Sequence, residues 1–86
     1  MCYAYILRCG DGTLYTGAAV DPVRRMKVHN AGRGAKYTRS RRPVRLVYTE
    51  AAESWSAALR REAEIKRMSR AEKLALAGVS AAEAKS

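Results

Sequence analysis

The chain has 86 residues, of which 17 are Lys or Arg and 8 are Asp or Glu, so its formal net charge is +9 at pH 7. A chain of this length forms one small domain with a single core and leaves no room for a separate cofactor-binding domain. The sequence has neither a signal-peptide pattern nor the run of about 20 apolar residues that a membrane-spanning helix needs. Cys2 and Cys9 belong to no zinc-binding or Cys-x-x-Cys pattern, which indicates free thiols and a cytoplasmic protein.

The first third of the chain predicts a β-hairpin followed by a helix. Tyr3–Cys9 and Leu14–Ala18 favour two short strands, and the Gly-Asp-Gly sequence between them favours a tight turn. Asp21-Pro22 then favours the start of a helix, because Asp accepts hydrogen bonds from free N–H groups and Pro suits the first helical position. This helix is predicted to run to about Asn30.

The remainder predicts a long loop, a third strand and two helices. Gly32–Pro43 has no hydrophobic periodicity and reads as a loop, and Val44–Glu50 favours a strand. Ser54 is the predicted N-cap of a helix of about 15 residues, and Ser69 begins a capping box for a shorter helix that ends at Gly78.

The order ββαβαα predicts an α+β domain over residues 1–78, with a small, mostly antiparallel three-stranded sheet flanked by helices. Residues 79–86 are predicted to form a short C-terminal tail, because they are too few for a stable helix. The side chains expected to reach the core from the helices are Val23, Met26, Trp55, Leu59, Ile65, Leu74 and Leu76.

The basic residues are concentrated in one quarter of the sequence. Nine of them fall between positions 24 and 45, a stretch without Asp or Glu, and the rest of the chain is neutral. Such a block is an electrostatic footprint for a polyanion, most simply a nucleic acid. A solvated basic surface or a docking site for an acidic protein are the alternatives, and an anionic membrane is disfavoured because no apolar helix face opposes the charges. The residues predicted to contact nucleic acid are Arg24, Lys27, Arg33, Lys36, Tyr37, Arg39, Arg41 and Arg42.

Four polar residues are expected to meet near the hairpin. Tyr5 and Tyr15 lie on its two strands and should approach each other across it. Arg25 and His29 are four residues apart and share one side of the first helix. Each of the four has an ordinary structural interpretation on its own, as packing or as a surface residue.

Glu62 is unusual among the charges of the long helix. It follows Trp55 and Leu59 at the spacing of one helix face, which predicts a carboxylate at the edge of the apolar face. A carboxylate there needs a partner, either a metal ion or a cation such as Arg25 or Lys66. The other polar residues of this helix, Arg60, Arg61, Glu64 and Arg67, are expected to face water.

The order of these residues matches the motifs of a known family. Tyr3-Ala4-Tyr5 stands where the family has Gly-Ile-Tyr, Tyr15-Thr16-Gly17 where it has Tyr-Ile-Gly, and Arg25, His29 and the Glu of Ala58-Leu59-Arg60-Arg61-Glu62 follow in its order. The chain therefore resembles the GIY-YIG endonuclease superfamily. Its glycine-rich segment from Gly32 to Thr38 is similar to a loop of the small stand-alone bacterial members and of the structure-specific members.

The resemblance implies a metal-dependent endonuclease that acts on DNA, including structured or branched DNA. It implies that Glu62 and phosphate oxygens hold Mg²⁺ or Mn²⁺, and that Arg25 clamps the scissile phosphate. Tyr5 would be the general base with Tyr15 orienting the water, or the reverse, and His29 would tune or relay the proton. A non-catalytic protein that binds DNA or RNA is the alternative, but such a protein gains nothing from a carboxylate that faces phosphates.

Overall fold

The structure is a computed structural model and describes residues 1–78. Its elements in chain order are β1 Cys2–Arg8, β2 Leu14–Ala19, α1 Pro22–Asn30, α2 Lys36–Arg39, β3 Arg45–Ala52, α3 Trp55–Lys66 and α4 Arg70–Leu76. The strands form one antiparallel sheet in the order β2-β1-β3. The α+β class and the order ββαβαα are confirmed, with α2 as one additional turn of helix. None of the helices within this part of the chain is long and apolar enough to cross a membrane. The predicted tail, 79–86, lies outside the described residues.

The predicted starts of the three longer helices are confirmed. Asp21, Ser54 and Ser69 each accept a hydrogen bond through the side chain from the backbone N–H three residues further on. These bonds satisfy N–H groups that the first turn of a helix leaves without intrahelical partners. At Ser69 the reciprocal bond is also present, since the Glu72 carboxylate accepts from the Ser69 N–H at 2.8 Å.

The central strand β1 is covered on both faces, and residues 4–7 are each at most 1% exposed. Successive side chains of a strand point to opposite faces, so Tyr5 and Leu7 share one core cluster while Ala4 and Ile6 share the other. Ile65 of α3 packs in the second cluster. The first cluster lies on the α1 side and carries the polar residues considered below.

Three residues expected in the core are exposed instead: Val23 is 50%, Trp55 47% and Leu59 41% exposed. The contact face of α3 is a narrow stripe through Ala58 and Ile65, both fully buried, so the stripe that contains Trp55 and Leu59 runs beside it. The expectation for these three residues was wrong, because the narrow sheet buries only part of each helix. The expected core positions that the structure confirms are Met26, Ile65, Leu74 and Leu76.

The segment Gly32–Pro43 was predicted to be a loop, but it contains the helical turn α2. One turn is too short to produce a periodic pattern, so the sequence carried no helical signal there. Thr38 is the only buried residue of α2, and α2 lies against α1.

An ion pair ties α3 to the sheet. The Arg61 Nε donates to both carboxylate oxygens of Glu50, at 2.9 and 3.1 Å, and the Tyr48 hydroxyl donates to the same carboxylate at 2.6 Å. Arg61 was expected to face water, but it is half-buried against β3. The pair adds a polar contact between α3 and β3 one residue before Glu62.

Candidate active site

The centre of the candidate site is a contact between the phenol of Tyr5 and the imidazole of His29. The Tyr5 hydroxyl oxygen lies 3.2 Å from His29 Nε2, and the two residues are 1% and 0% exposed. Tyr15 of β2 lies diagonally across the hairpin from Tyr5, since Tyr5 pairs with Gly17 and Leu7 with Tyr15. Its ring centroid is 5.2 Å from that of His29. The sheet register and α1 together bring the two tyrosines and the histidine to one place.

A further residue contacts the other side of the imidazole. The Oγ1 of Thr38 lies 2.8 Å from His29 Nδ1, and the same hydroxyl donates to the Ala35 carbonyl at 2.9 Å. The sequence interpretation assigned this segment to nucleic-acid contact and did not identify Thr38. A lone threonine in an irregular segment gives no signal of its own, because the contact depends on how α2 docks on α1.

Two glycines let the backbone approach these rings closely. A Cβ on Gly17 would lie 2.5 Å from the Tyr5 hydroxyl, and a Cβ on Gly34 would lie 2.2 Å from His29 Nδ1. Real Cβ atoms essentially never come within 3.0 Å of another heavy atom. Each ring therefore fills the space that a side chain would take at the glycine.

Both central groups are held in their neutral forms. Burial raises the pKa of Tyr5 to about 12, with the neighbouring Tyr15 and Glu62 adding to the rise and Arg25 opposing it. Burial, together with the positive charge of Arg25, lowers the pKa of His29 below its ordinary value. Arg25 and Glu62 thus both lie within electrostatic reach of the Tyr5 hydroxyl, and at neutral pH an uncharged phenol faces an uncharged imidazole.

Glu62 approaches the site from α3. Its side chain is 20% exposed, and its carboxylate lies 3.5 Å from the ammonium of Lys66 one turn further on. Within residues 1–78 no group of three or more His, Cys, Asp or Glu side chains converges as a metal cage would. Glu62 is the carboxylate whose charge acts on Tyr5, and a single carboxylate could hold Mg²⁺, since this ion keeps several waters and takes substrate phosphates as ligands.

Seven of the nine basic residues between positions 24 and 45, all except Arg25 and Arg45, divide into two sets. Arg41 is already engaged: its Nε lies 3.1 Å from the Asp11 carboxylate, its guanidinium donates to the Tyr37 carbonyl at 2.9 Å, and it lies 4.0 Å from the centre of the Tyr37 ring. Arg42 donates to two backbone carbonyls. The other set is exposed and forms no ion pair among the described residues; it consists of Arg24, Lys27, Arg33, Lys36 and Arg39.

An open groove of about 360 Å³ borders Arg25 between the end of β2 and α1. Val20 and Val28 supply apolar surface, and Arg24 adds a second guanidinium. A larger groove of about 520 Å³ lies on the far side of Val20, lined by Tyr3 and β3 residues, and does not include the Tyr5–His29 pair. The first groove combines cations with apolar walls next to the proposed phosphate clamp.

A family model and several related sequences match most of the chain. Residues 1–75 match the GIY-YIG catalytic domain. A UPF0213 protein of Syntrophus aciditrophicus is 60% identical over 75 residues, which cover 86% of each chain. One from Halobacterium salinarum is 55% identical over 76 residues, covering 88% of this chain and 99% of the relative.

A solved structure agrees with these relatives. The solution NMR structure of a UPF0213 protein from Bacillus halodurans is 46% identical and matches with a TM-score of 0.57, covering 100% of this chain and 95% of that one. The family match covers both tyrosine motifs, Arg25, His29 and Glu62. This chain therefore belongs to the GIY-YIG catalytic domain family, which is a family of nucleases.

Proposed function

We propose that the protein is a metal-dependent endonuclease that hydrolyses phosphodiester bonds of DNA. Hydrolysis requires a path for the proton of the attacking water and stabilisation of charge on the phosphate and the leaving oxygen. The observation that carries the proposal is the buried Tyr5–His29 hydrogen bond, with a guanidinium and a carboxylate both close to the phenol. These groups supply each requirement in one place.

The neutral state of both rings defines the proton path. Because the pKa of Tyr5 is about 12, the phenolate is scarcely populated at neutral pH and a free phenolate is not the base. In the proposed step, the Tyr5 oxygen accepts a proton from water as its own proton passes to Nε2 of His29. The imidazole is then the final proton acceptor, and no charged tyrosine has to form.

Arg25 has two tasks in this proposal. Its positive charge acts on the Tyr5 hydroxyl, which is buried, while Arg25 itself is exposed on α1. From this exposed position it can bind a phosphate through two parallel N–H groups. Tyr15 is only half-buried beside His29 and would orient that water.

Glu62 is the residue that would hold Mg²⁺ or Mn²⁺, with the remaining ligands supplied by phosphate oxygens and water. When bound, the ion would stabilise negative charge on the phosphate and the leaving oxygen. In its absence Lys66 balances the carboxylate. A half-exposed ammonium on a flexible stem is easily displaced, so the carboxylate is available without a large cost.

The exposed cations support a nucleic acid as the substrate. Arg24 and Lys27 project from α1, while Arg33, Lys36 and Arg39 lie on the segment that packs against it. They can contact successive phosphates on either side of the clamp, and such contacts position a strand without reading its sequence. The basic surface alone would equally serve a protein that binds DNA or RNA without cutting it.

The test is incubation of the purified protein with duplexes, single strands, flaps and forks, each with Mg²⁺, Mn²⁺ or chelator. The proposal predicts cleavage that depends on the metal ion. Salt-sensitive binding without cleavage of any substrate under any metal would support the non-catalytic alternative instead.

A further inference from the structure

We propose that Thr38 is a positioning residue that fixes the tautomer of His29, with the proton on Nδ1 and Nε2 left open toward Tyr5. The catalytic meaning of this assignment rests on the proposed nuclease function, but the assignment itself does not. It gives the glycine-rich segment from Gly32 to Thr38 a task in the chemistry, beyond contact with nucleic acid.

The hydrogen bonds of the Thr38 hydroxyl carry the argument. The Ala35 carbonyl oxygen, 2.9 Å from the Thr38 Oγ1, can only accept a hydrogen bond. The hydroxyl has one proton, so its contacts to Ala35 and His29 are both hydrogen bonds only if that proton points to Ala35. Toward His29 Nδ1, at 2.8 Å, the same oxygen can therefore only accept. The proton must then lie on Nδ1, and a neutral imidazole with a proton on Nδ1 has an unprotonated Nε2.

The surroundings of His29 hold its ring in place. His29 and Thr38 are both 0% exposed, so bulk water does not supply a substitute partner. The missing side chain of Gly34 leaves the space that Nδ1 occupies, and the ring packs against that backbone. The ring is thus held between the Gly34 backbone and Thr38 on one side and Tyr5 on the other.

The tautomer decides which way a proton can move. With Nε2 open, the Tyr5 hydroxyl donates to it and keeps its own lone pairs free for another proton. With the proton on Nε2, His29 would donate to the Tyr5 oxygen and could accept nothing from it. Thr38 is therefore expected to act on the proton path through His29, without contact with substrate.

The tautomer can be measured directly, because His29 is the only histidine of the chain. The ¹⁵N chemical shifts of an imidazole distinguish its protonated from its unprotonated nitrogen, and the measurement needs neither substrate nor metal. We expect the wild type to have Nδ1 protonated, Thr38→Val to lose that pattern, and Thr38→Ser to retain it. Thr16→Val makes the same chemical change at a buried threonine in the strand β2 and should leave His29 unchanged.

Two results would overturn the assignment: a wild type with the proton on Nε2, or a Thr38→Val variant that keeps the wild-type shifts. The wild-type spectrum and Thr38→Ser decide the question if Thr38→Val does not fold. In the cleavage assay, Thr38→Val should lower kcat about 10- to 100-fold with little change in KM, and Thr38→Ser should restore it. If the wild type cuts nothing, the nuclease proposal fails while the tautomer assignment is still decided by the spectra.

Discussion

Replacing Gly34 with alanine should disrupt the candidate site more than adding a methyl group at any other glycine of the described chain. The new Cβ would lie 2.2 Å from His29 Nδ1, whereas ordinary contact begins at 3.4 Å, so the ring or the backbone must move by about 1.2 Å. The ring is held by contacts of 2.8 Å to Thr38 and 3.2 Å to Tyr5, and a shift of the ring by this amount would break them.

The cost has two parts. Overpacking a buried site costs about 1–3 kcal/mol, and leaving buried polar groups without partners costs about 1–3 kcal/mol more. A loss of about 2–6 kcal/mol in a domain of this size lowers Tm by at least about 8 °C. Thermal melting followed by circular dichroism measures this loss, and cleavage should fall with it.

A double-mutant cycle isolates the cause. In a His29→Ala background the methyl group has room, so Gly34→Ala should then cost less than about 0.5 kcal/mol. The same cost in both backgrounds would show that the penalty comes from the backbone of Gly34 and not from the ring. A Gly34→Ala variant that melts like the wild type would refute the packing argument altogether.

Three further predictions concern stability, pH and binding. Thr16 is 3% exposed, and its hydroxyl has no hydrogen-bond partner among the described residues. Thr16→Val should therefore raise Tm by about 4–8 °C, and a lower Tm would show that the hydroxyl forms a hydrogen bond. The pKa of His29 is lowered in the folded state, so the unfolded chain binds the proton more readily. The contribution of neutral His29 to the free energy of unfolding should therefore be fully present above the unfolded pKa of 6.5 and decline as the pH falls below it. Tm measured from pH 8 to 5 should show this decline, and an equal decline in His29→Gln would argue against it. Replacing Arg33, Lys36 and Arg39 with alanine should make the slope of log K for nucleic-acid binding against log salt less negative by up to about 3, without changing Tm. An unchanged slope would place the substrate elsewhere.

The sequence predicted what depends on local chemistry and strand alternation. The caps at Asp21, Ser54 and Ser69 follow from bonds within one helical turn, and all three form. The approach of Tyr5 and Tyr15 follows from a short hairpin with one register.

What the sequence could not predict depends on how the elements dock. Trp55 and Leu59 have the spacing of a core face, but α3 rests on the sheet through the stripe of Ala58 and Ile65. Periodicity identifies an apolar stripe, but it does not tell which of two neighbouring stripes the sheet covers. For the same reason Glu62 lies at the border of the contact face, where its side chain is 20% exposed.

The contact between Thr38 and His29 is the clearest case of a site residue outside the reach of sequence patterns. The two residues are nine positions apart, on helices separated by a segment without periodicity. Neither helix propensity nor charge pattern brings them together; the space left by Gly34 does. A glycine needed for its small size looks the same in a sequence as a glycine needed for a turn.

The most direct test of the nuclease account is the effect of Glu62→Gln on metal-dependent cleavage, measured together with its melting curve. The pair between Glu62 and Lys66 is partly exposed, so its loss should cost no more than about 0.5 kcal/mol and leave the fold intact. Glu64→Gln is the matched control, because it makes the same change on the same helix at a side chain that is 62% exposed. The account predicts that Glu62→Gln melts and binds DNA like the wild type but cuts at least about 100-fold more slowly, while Glu64→Gln cuts normally. Cleavage by Glu62→Gln at the wild-type rate would contradict it, as would a wild type that cuts no substrate with any metal ion.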